Sequence, residues 1–218
     1  EKTEANVYEV AAAAGRASRI GPKFLHASIG FGGSCFKKDI LNLVYLCEYY
    51  GLPEVAAYWE QVVKMNDFQA RRFVQNMIGA MFNTVSAKKI AIFGFAFKAN
   101  TGDTRESPAC AVCHQLLEER AELSIYDPKA LENAKIDLAN AQGRINYCTS
   151  PYEAAKGAHA IAIMTEWNEF KELDYQRIFD NMEKPAFIFD GRNIVDHQYL
   201  YELGFNVYPI GKKSLVHV

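Results

Sequence analysis

From Lys89 onward the chain repeats one pattern, a short apolar β-branched run followed by a longer amphipathic stretch. The run KKIAIFG is apolar at consecutive rather than alternate positions, which suits a strand covered on both faces. Strands are expected at residues 89–93, 122–126, 145–148, 160–164, 186–189 and 206–210. Helical patterns fall between them, near residues 108–120, 152–156, 175–182 and 197–203. Such alternation predicts a parallel sheet with helices on both faces. Ligands in sheets of this kind lie beyond the carboxyl ends of the strands, near the reversal in strand order.

The part before Lys89 is helical in character. Residues 1–14 read as the end of a helix, with Val7, Val10, Ala11 and Ala14 at helical spacing and Gly15 as its stop. Residues 16–33 read as loop, with Arg16, Arg19, Lys23 and His26 as scattered cations. A helix follows Asp39 and ends near Gly51, and a long one covers residues 54–82 behind Pro53. The domain boundary is expected near residue 84, giving a helical unit at 1–84 and an α/β unit at 85–218. The chain lacks an initiator Met and opens inside an expected helix, so it reads as a piece of a longer protein.

The stretch GFGGSCFKKD, residues 30–39, carries the densest chemistry. Glycines let a backbone bend or approach a ligand closely, and amides at a helix start can bind an anion. Cys35 falls near the start of the following helix and beside Lys37 and Lys38, where a thiol ionises more readily. The plain alternative is a Gly-rich turn with a small buried Cys. Past the first strand, GFAFKANTGDTRESP lacks the G-x-G-x-x-G dinucleotide fingerprint. It offers Lys98 and Arg105 with Thr101, Asp103, Thr104 and Ser107 before a helix, a setting suited to a phosphate or carboxylate. Asp127 could meet a ribose, but Asp-Pro reads better as a turn. Thr165, Glu166 and Trp167 end the fourth strand. Arg192, after Asp190-Gly191, reads on pattern alone as a surface arginine in a salt bridge.

Several functions are disfavoured. A formal charge of −2 without a basic run gives no footprint for nucleic acid. No apolar run reaches membrane-spanning length, and the first residues resemble no targeting peptide. Five irregularly placed cysteines argue for a reducing compartment, the cytoplasm, rather than a disulfide framework. Cys110-Ala-Val-Cys113-His114 matches the haem-attachment spacing, but it sits in an amphipathic helix whose apolar stripe includes Cys113. His114, His159, His197 and His217 have no metal-ligand spacing.

Taken together, GFGGSCFKKD, GFAFKANTGDTRES and FDGR make the chain resemble the nucleotide-sugar dehydrogenases over nearly its whole length. The resemblance implies a central helical dimerisation domain followed by a Rossmann-like UDP-sugar-binding domain, with the N-terminal NAD-binding domain missing and this stretch inactive alone. It implies oxidation of UDP-glucose to UDP-glucuronate with two NAD⁺. In that chemistry Cys35 forms a thiohemiacetal and then a thioester, and Asp39 positions or activates water. It implies substrate contacts at Arg19, His26, Ala27, Ser28, Ile29, Gly30, Phe31, Gly32, Phe97, Lys98 and Arg192, with Arg19 reaching across a homodimer. Cys35, Phe36, Lys37, Lys38 and Arg105 would face NAD. His26 departs from the lysine expected in close relatives, which weakens the charge there at neutral pH. Asp39 would raise the pKa of the thiol, whereas the helix terminus and the lysines would lower it. The alternatives are a nucleotide-sugar-binding or dimerisation module without chemistry, a dehydrogenase for another sugar nucleotide such as GDP-mannose, and a thiol acyltransferase or hydrolase with His26 as base.

Overall fold

In the computed structural model, which describes residues 5–217, Asn6 caps the first helix, α1 (Val7–Gly15), its side chain accepting from Tyr8 N at 3.0 Å. The expected helix over 1–14 therefore begins at Val7, because the Asn6 side chain takes up a free first-turn amide; residues 1–4 of that reading lie outside the described residues. The helix behind the glycine stretch, α2 (Phe36–Tyr49), starts earlier than expected, with Cys35 at its N-cap. Pro53 opens α3 (Pro53–Ala80), 28 residues long. Its buried residues Ala56, Val63, Ala70, Phe73, Val74 and Met77 form one helical stripe.

After a turn containing Asn83 and Ala87, both at positive φ, the α/β part begins. It runs β1 (Lys89–Phe93), α4 (Pro108–Glu118), β2 (Glu122–Tyr126), α5 (Leu131–Asp137), β3 (Ile145–Tyr147), α6 (Pro151–Ala155) and β4 (Ala160–Ile163). A 3-10 turn at Asn168–Lys171, α7 (Tyr175–Asp180), β5 (Phe187–Asp190), α8 (His197–Leu203) and β6 (Asn206–Pro209) complete it. The six strands are parallel in the order β3-β2-β1-β4-β5-β6. The expected strands stand with ends shifted by a residue or so. The short helix α5 is an addition to the expected pattern.

Consecutive strand residues feed opposite cores, as period-two geometry requires. Ile90 and Ile92 join Leu123, Phe187 and Phe189 in one core, which α3 and α4 cover with Phe73, Met77, Val112 and Leu116. Ala91 and Phe93 join Ile161, Ile163 and Ile188 in the other, covered by Ala154, Phe170, Ile178 and Leu200. The strand order reverses between β1 and β4, so the loops leaving those two strands diverge and open a crevice at their carboxyl ends.

Candidate functional site

The crevice is built on one buried carboxylate. Asp127, 3% exposed at the end of β2, accepts from Phe95 N at 2.7 Å, Ala96 N at 3.0 Å and Trp167 Nε1 at 3.2 Å through Oδ2. Its Oδ1 accepts from Lys129 N at 2.8 Å and Ala130 N at 2.7 Å. The carboxylate thus pins the exits of β1, β2 and β4 together, which fits the turn reading and leaves it engaged within the protein. Thr165 Oγ1 donates to Ala96 O at 2.6 Å. The exits of β1 and β4 pass so closely that a methyl on Gly94, at φ +89°, would lie 2.4 Å from Thr165 Cβ.

Arg192 is where the two parts of the chain meet. Its Nε donates to Met164 O at 2.9 Å, Nη1 to Ser28 Oγ at 2.8 Å and Nη2 to Phe97 O at 2.8 Å. Glu166 Oε2 lies 3.0 Å from Nη2, and the arginine side chain is only 14% exposed. The salt bridge is as expected, but the arginine is not a surface one: the loops after β1, β4 and β5 close around it. Burial pulls its pKa down, opposed by the charges of Glu166 and Asp190; an arginine remains protonated there. Asp190, fully buried, fixes the turn that presents it by accepting from Arg192 N, Ile194 N and Val195 N, with His197 Nε2 at 2.9 Å.

The glycine stretch lies against this crevice and is held from three sides. Ile29 is buried in the core, where a methyl on Gly191 would come within 2.6 Å of its Cγ2. Gln69 Nε2 donates to Ser28 O at 3.1 Å. Asn66 engages the backbone of Phe31 twice, Oδ1 accepting from Phe31 N at 2.7 Å and Nδ2 donating to Phe31 O at 3.0 Å. Gly33 N donates to Arg105 O at 2.8 Å. The ring of Phe97 lies under Gly33, 3.0 Å from where a side chain would start. The amides of Gly30, Phe31 and Gly33 are thus bonded within the protein, and Gly32 and Gly33 serve close approach of two backbones rather than an open anion nest.

Cys35 follows directly and is exposed, with Ser34 Oγ 3.6 Å from its Sγ. Asp39 N bonds Cys35 O in the first turn of α2, while the Asp39 carboxylate is exposed and 3.6 Å from Lys38 Nζ. Lys37 pairs with Glu106 at 2.8 Å, tying α2 to the loop after β1. Phe36 is exposed, its ring 5.4 Å from that of Phe31. Arg105 is also exposed and is gripped by Asp103, whose pKa the guanidinium lowers to about 2. Lys98 is exposed, its Nζ 5.3 Å from the Phe97 ring centroid. The structure therefore joins Ser28, Phe97 and Arg192 by direct contact, and sets Gly33 on Arg105 beside Cys35. Ala27 packs at the core edge, His26 is exposed with its ring 6.2 Å from Tyr8, and Arg19 lies in an exposed turn after α1.

Asn66 and Gln69 escape a reading of the sequence; Thr165 and Glu166 are marked only as the end of the fourth strand and Asp127 only as a turn residue, not by the bonds they make across the crevice. Asn66 carries a local signal: it interrupts the apolar stripe of α3 between Val63 and Ala70. Cys110 and Cys113 belong to packing. Burial pushes the Cys110 thiol up to about 11, and Cys113 further. Among the described residues no group of three or more His, Cys, Asp or Glu side chains could hold a metal, and no helix is long and apolar enough to cross a membrane.

Comparison with known proteins adds the family context. Residues 1–68 match the central domain of the UDP-glucose/GDP-mannose dehydrogenase family, and residues 91–197 match its UDP binding domain. The chain is 59% identical to UDP-glucose 6-dehydrogenase 5 of Oryza sativa subsp. japonica, over 97% of this chain and 48% of that protein. It is 56% identical to UDP-glucose 6-dehydrogenase 1 of Arabidopsis thaliana with the same coverage. The chain thus spans about half the length of the curated relatives it matches. Among solved structures, a UDP-glucose dehydrogenase from Pyrobaculum islandicum superposes with a TM-score of 0.81 at 28% identity, over 98% of this chain and 45% of that one. The UDP-D-ManNAc dehydrogenase from Pyrococcus horikoshii gives 0.70 at 26% identity, over 97% and 45%.

Proposed function

The chain belongs to the UDP-glucose/GDP-mannose dehydrogenase family, and from that premise we propose that it forms the central and sugar-nucleotide-binding part of an NAD-dependent enzyme oxidising UDP-glucose to UDP-glucuronate. The observation that carries this reading is the placement of an exposed Cys35 at the start of α2, on a loop seated against the crevice that Phe97 and Arg192 line.

The division of labour follows from the residues. Residues 27–32 wall the sugar-nucleotide site by shape, since much of their backbone is bonded within the protein. Phe97, Lys98 and Arg192 hold the ligand with them, and Arg192 also keeps the loops around it in register. The side chain of Ile29 anchors the loop in the core, leaving its backbone to face the ligand. Loss of a hydride from C6 of the hexose and of the proton from its hydroxyl leaves an aldehyde. Cys35 Sγ adds to it, its proton passing to the oxygen, and a thiohemiacetal forms. Loss of a second hydride, with the hydroxyl proton of the thiohemiacetal, gives a thioester, and water, positioned or activated by Asp39, cleaves this to the carboxylate and restores the thiol. NAD supplies the hydride acceptor for both oxidations when bound. The loop after β1 offers it no cradle, since Phe95 and Asp127 fill that turn. Phe36, Lys38 and the exposed guanidinium of Arg105 form the edge that would meet it, with Cys35 and Lys37 beside them. The bulk of its site falls to a separate N-terminal domain, and these residues alone are inactive.

Two units, 1–84 and 85–218, divide the work. The exposed aromatic residues Tyr45 and Tyr49 of α2, Tyr50 at its C-cap, and Tyr58 and Phe68 of α3 suit a second copy, across which Arg19 would reach. Five free cysteines suit a cytoplasmic setting.

Cys35→Ser in the full-length protein tests the reading. The variant should stop after one hydride transfer, or halt with a bound intermediate, when NADH is counted against UDP-glucuronate. Unchanged turnover with two NADH per product would remove Cys35 from the reaction.

A further inference from the structure

We infer that Asn66 is a positioning residue that holds the thiol-bearing loop to the long helix α3, an inference that rests on the role proposed above for Cys35. Asn66 stands on the buried stripe of α3, flanked at helical spacing by Val63 and by Ala70 and Phe73, where an apolar residue would satisfy packing alone. Instead its amide turns to the glycine loop and takes both the N–H and the C=O of Phe31. One side chain thereby replaces the pair of bonds that a neighbouring strand would supply, and an amide is the neutral side-chain group offering donor and acceptor in that fork. The approach is close enough that a methyl on Gly30, at φ +142°, would sit 2.8 Å from Asn66 Oδ1. Gln69, one turn further on, repeats the device on Ser28 O at 3.1 Å.

The consequence is mechanical. Ser28 is bonded to Arg192, Phe31 to Asn66, Gly33 to Arg105, and Cys35 follows two residues later. Residues 27–33 lie in no helix or strand of their own. Ile29 anchors the start of the loop in the core; beyond that its course is set by these bonds and the Phe97 contact, and Asn66 supplies the pair at its middle. A long helix that is itself buried against the sheet core makes a stiff reference, whereas a loop left to its own turn would sample many positions. Small displacements of a nucleophile from its attack position are costly in rate.

The test uses the full-length protein with Asn66→Ala and the isosteric Asn66→Asp, which keeps the acceptor for Phe31 N–H but loses the donor. Hydrogen exchange should rise about tenfold or more at residues 31–35 in Asn66→Ala, the scale of two lost hydrogen bonds, with α3 and the strands unchanged. The kcat should fall by about tenfold or more while KM for NAD moves less than about twofold. Asn66→Asp should lie between the two, and it serves as the readout if the alanine variant does not fold. Unchanged exchange at residues 31–35 would overturn the inference. So would protection lost along the whole of α3, which marks a plain packing role, or a freed loop with normal kcat. The exchange result does not depend on chemistry at the thiol, so failure of Cys35 as nucleophile and failure of Asn66 as anchor are separately visible.

Discussion

Gly32→Ala and Gly79→Ala should change stability in opposite directions, although both add one methyl. At Gly32 the new carbon would lie 2.5 Å from Glu106 O, 3.0 Å from Glu106 C and 2.9 Å from Phe97 Cβ. Two of those atoms are backbone of a loop pinned through Ser107 Oγ to Phe95 O at 2.8 Å, so no rotamer can relieve the contact. A carbon-to-carbonyl contact relaxes at about 3.3 Å, which asks for a retreat of about 0.8 Å. That retreat would stretch Gly33 N···O Arg105 from 2.8 Å to about 3.6 Å, outside hydrogen-bond range. Overpacking costs about 1–3 kcal/mol and the lost bond about 1 kcal/mol. The stiffer unfolded chain returns about 0.7 kcal/mol. The net loss is roughly 1.3–3.3 kcal/mol. Gly79 lies near the end of α3 with open space around its Cα and ordinary helical φ, so alanine there should stabilise by about 0.5–1 kcal/mol. Urea denaturation of both variants, with exchange of the Gly33 amide, measures the contrast. A Gly32→Ala variant within about 0.5 kcal/mol of the parent, with Gly33 still protected, would refute the close-approach argument.

Two further outcomes follow from burial. Iodoacetamide at pH 8 should modify exposed Cys35 well before Cys110, whose thiol burial raises to about 11, and should spare Cys113 until the chain unfolds; site-resolved mass spectrometry reads the order, and early labelling of Cys113 would contradict the packing of α4. Asp127→Ala would strand five N–H donors around the β1, β2 and β4 exits and should cost at least about 3 kcal/mol; a loss below about 1 kcal/mol in urea would show that these donors find other acceptors.

What the sequence reveals and what it hides divide along a physical line. The strands are legible because consecutive apolar residues such as Ile90, Ala91, Ile92 and Phe93 must serve two cores at once, and only a sheet covered on both sides offers them. That they run parallel is also implied by the alternation with helices; their order is not. The helix α5 is hidden because LENAKID buries only Ala134, too little to mark a period. The bonds that make the crevice are hidden for another reason. Asn66 and Phe31 are 35 residues apart, and Arg192 and Ser28 are 164 apart. No local pattern encodes such a pairing. A pattern can mark Arg192 as an arginine after a Gly turn, but not that three loops close over it. Cys35 itself is conspicuous in sequence, yet its exposure is settled by contacts made elsewhere.

Those contacts alter what the glycines mean. An anion nest needs free amides, and Gly30, Phe31 and Gly33 have theirs bonded to Ser28, Asn66 and Arg105. The loop spends its conformational freedom on approaching other backbone: Asn66 over Gly30, Glu106 and Phe97 against Gly32, the Phe97 ring under Gly33. It follows that a side chain at any of these positions would act first on geometry, moving the sulfur relative to Arg192, and only through that on binding. Charge in the crevice comes instead from Arg192, largely committed to Met164, Ser28, Phe97 and Glu166, with Lys98 exposed over the neighbouring Phe97 ring. If the proposed function holds, a diphosphate would meet Arg192 already held in place, its orientation prepared rather than induced, and Lys98 would be the adaptable cation.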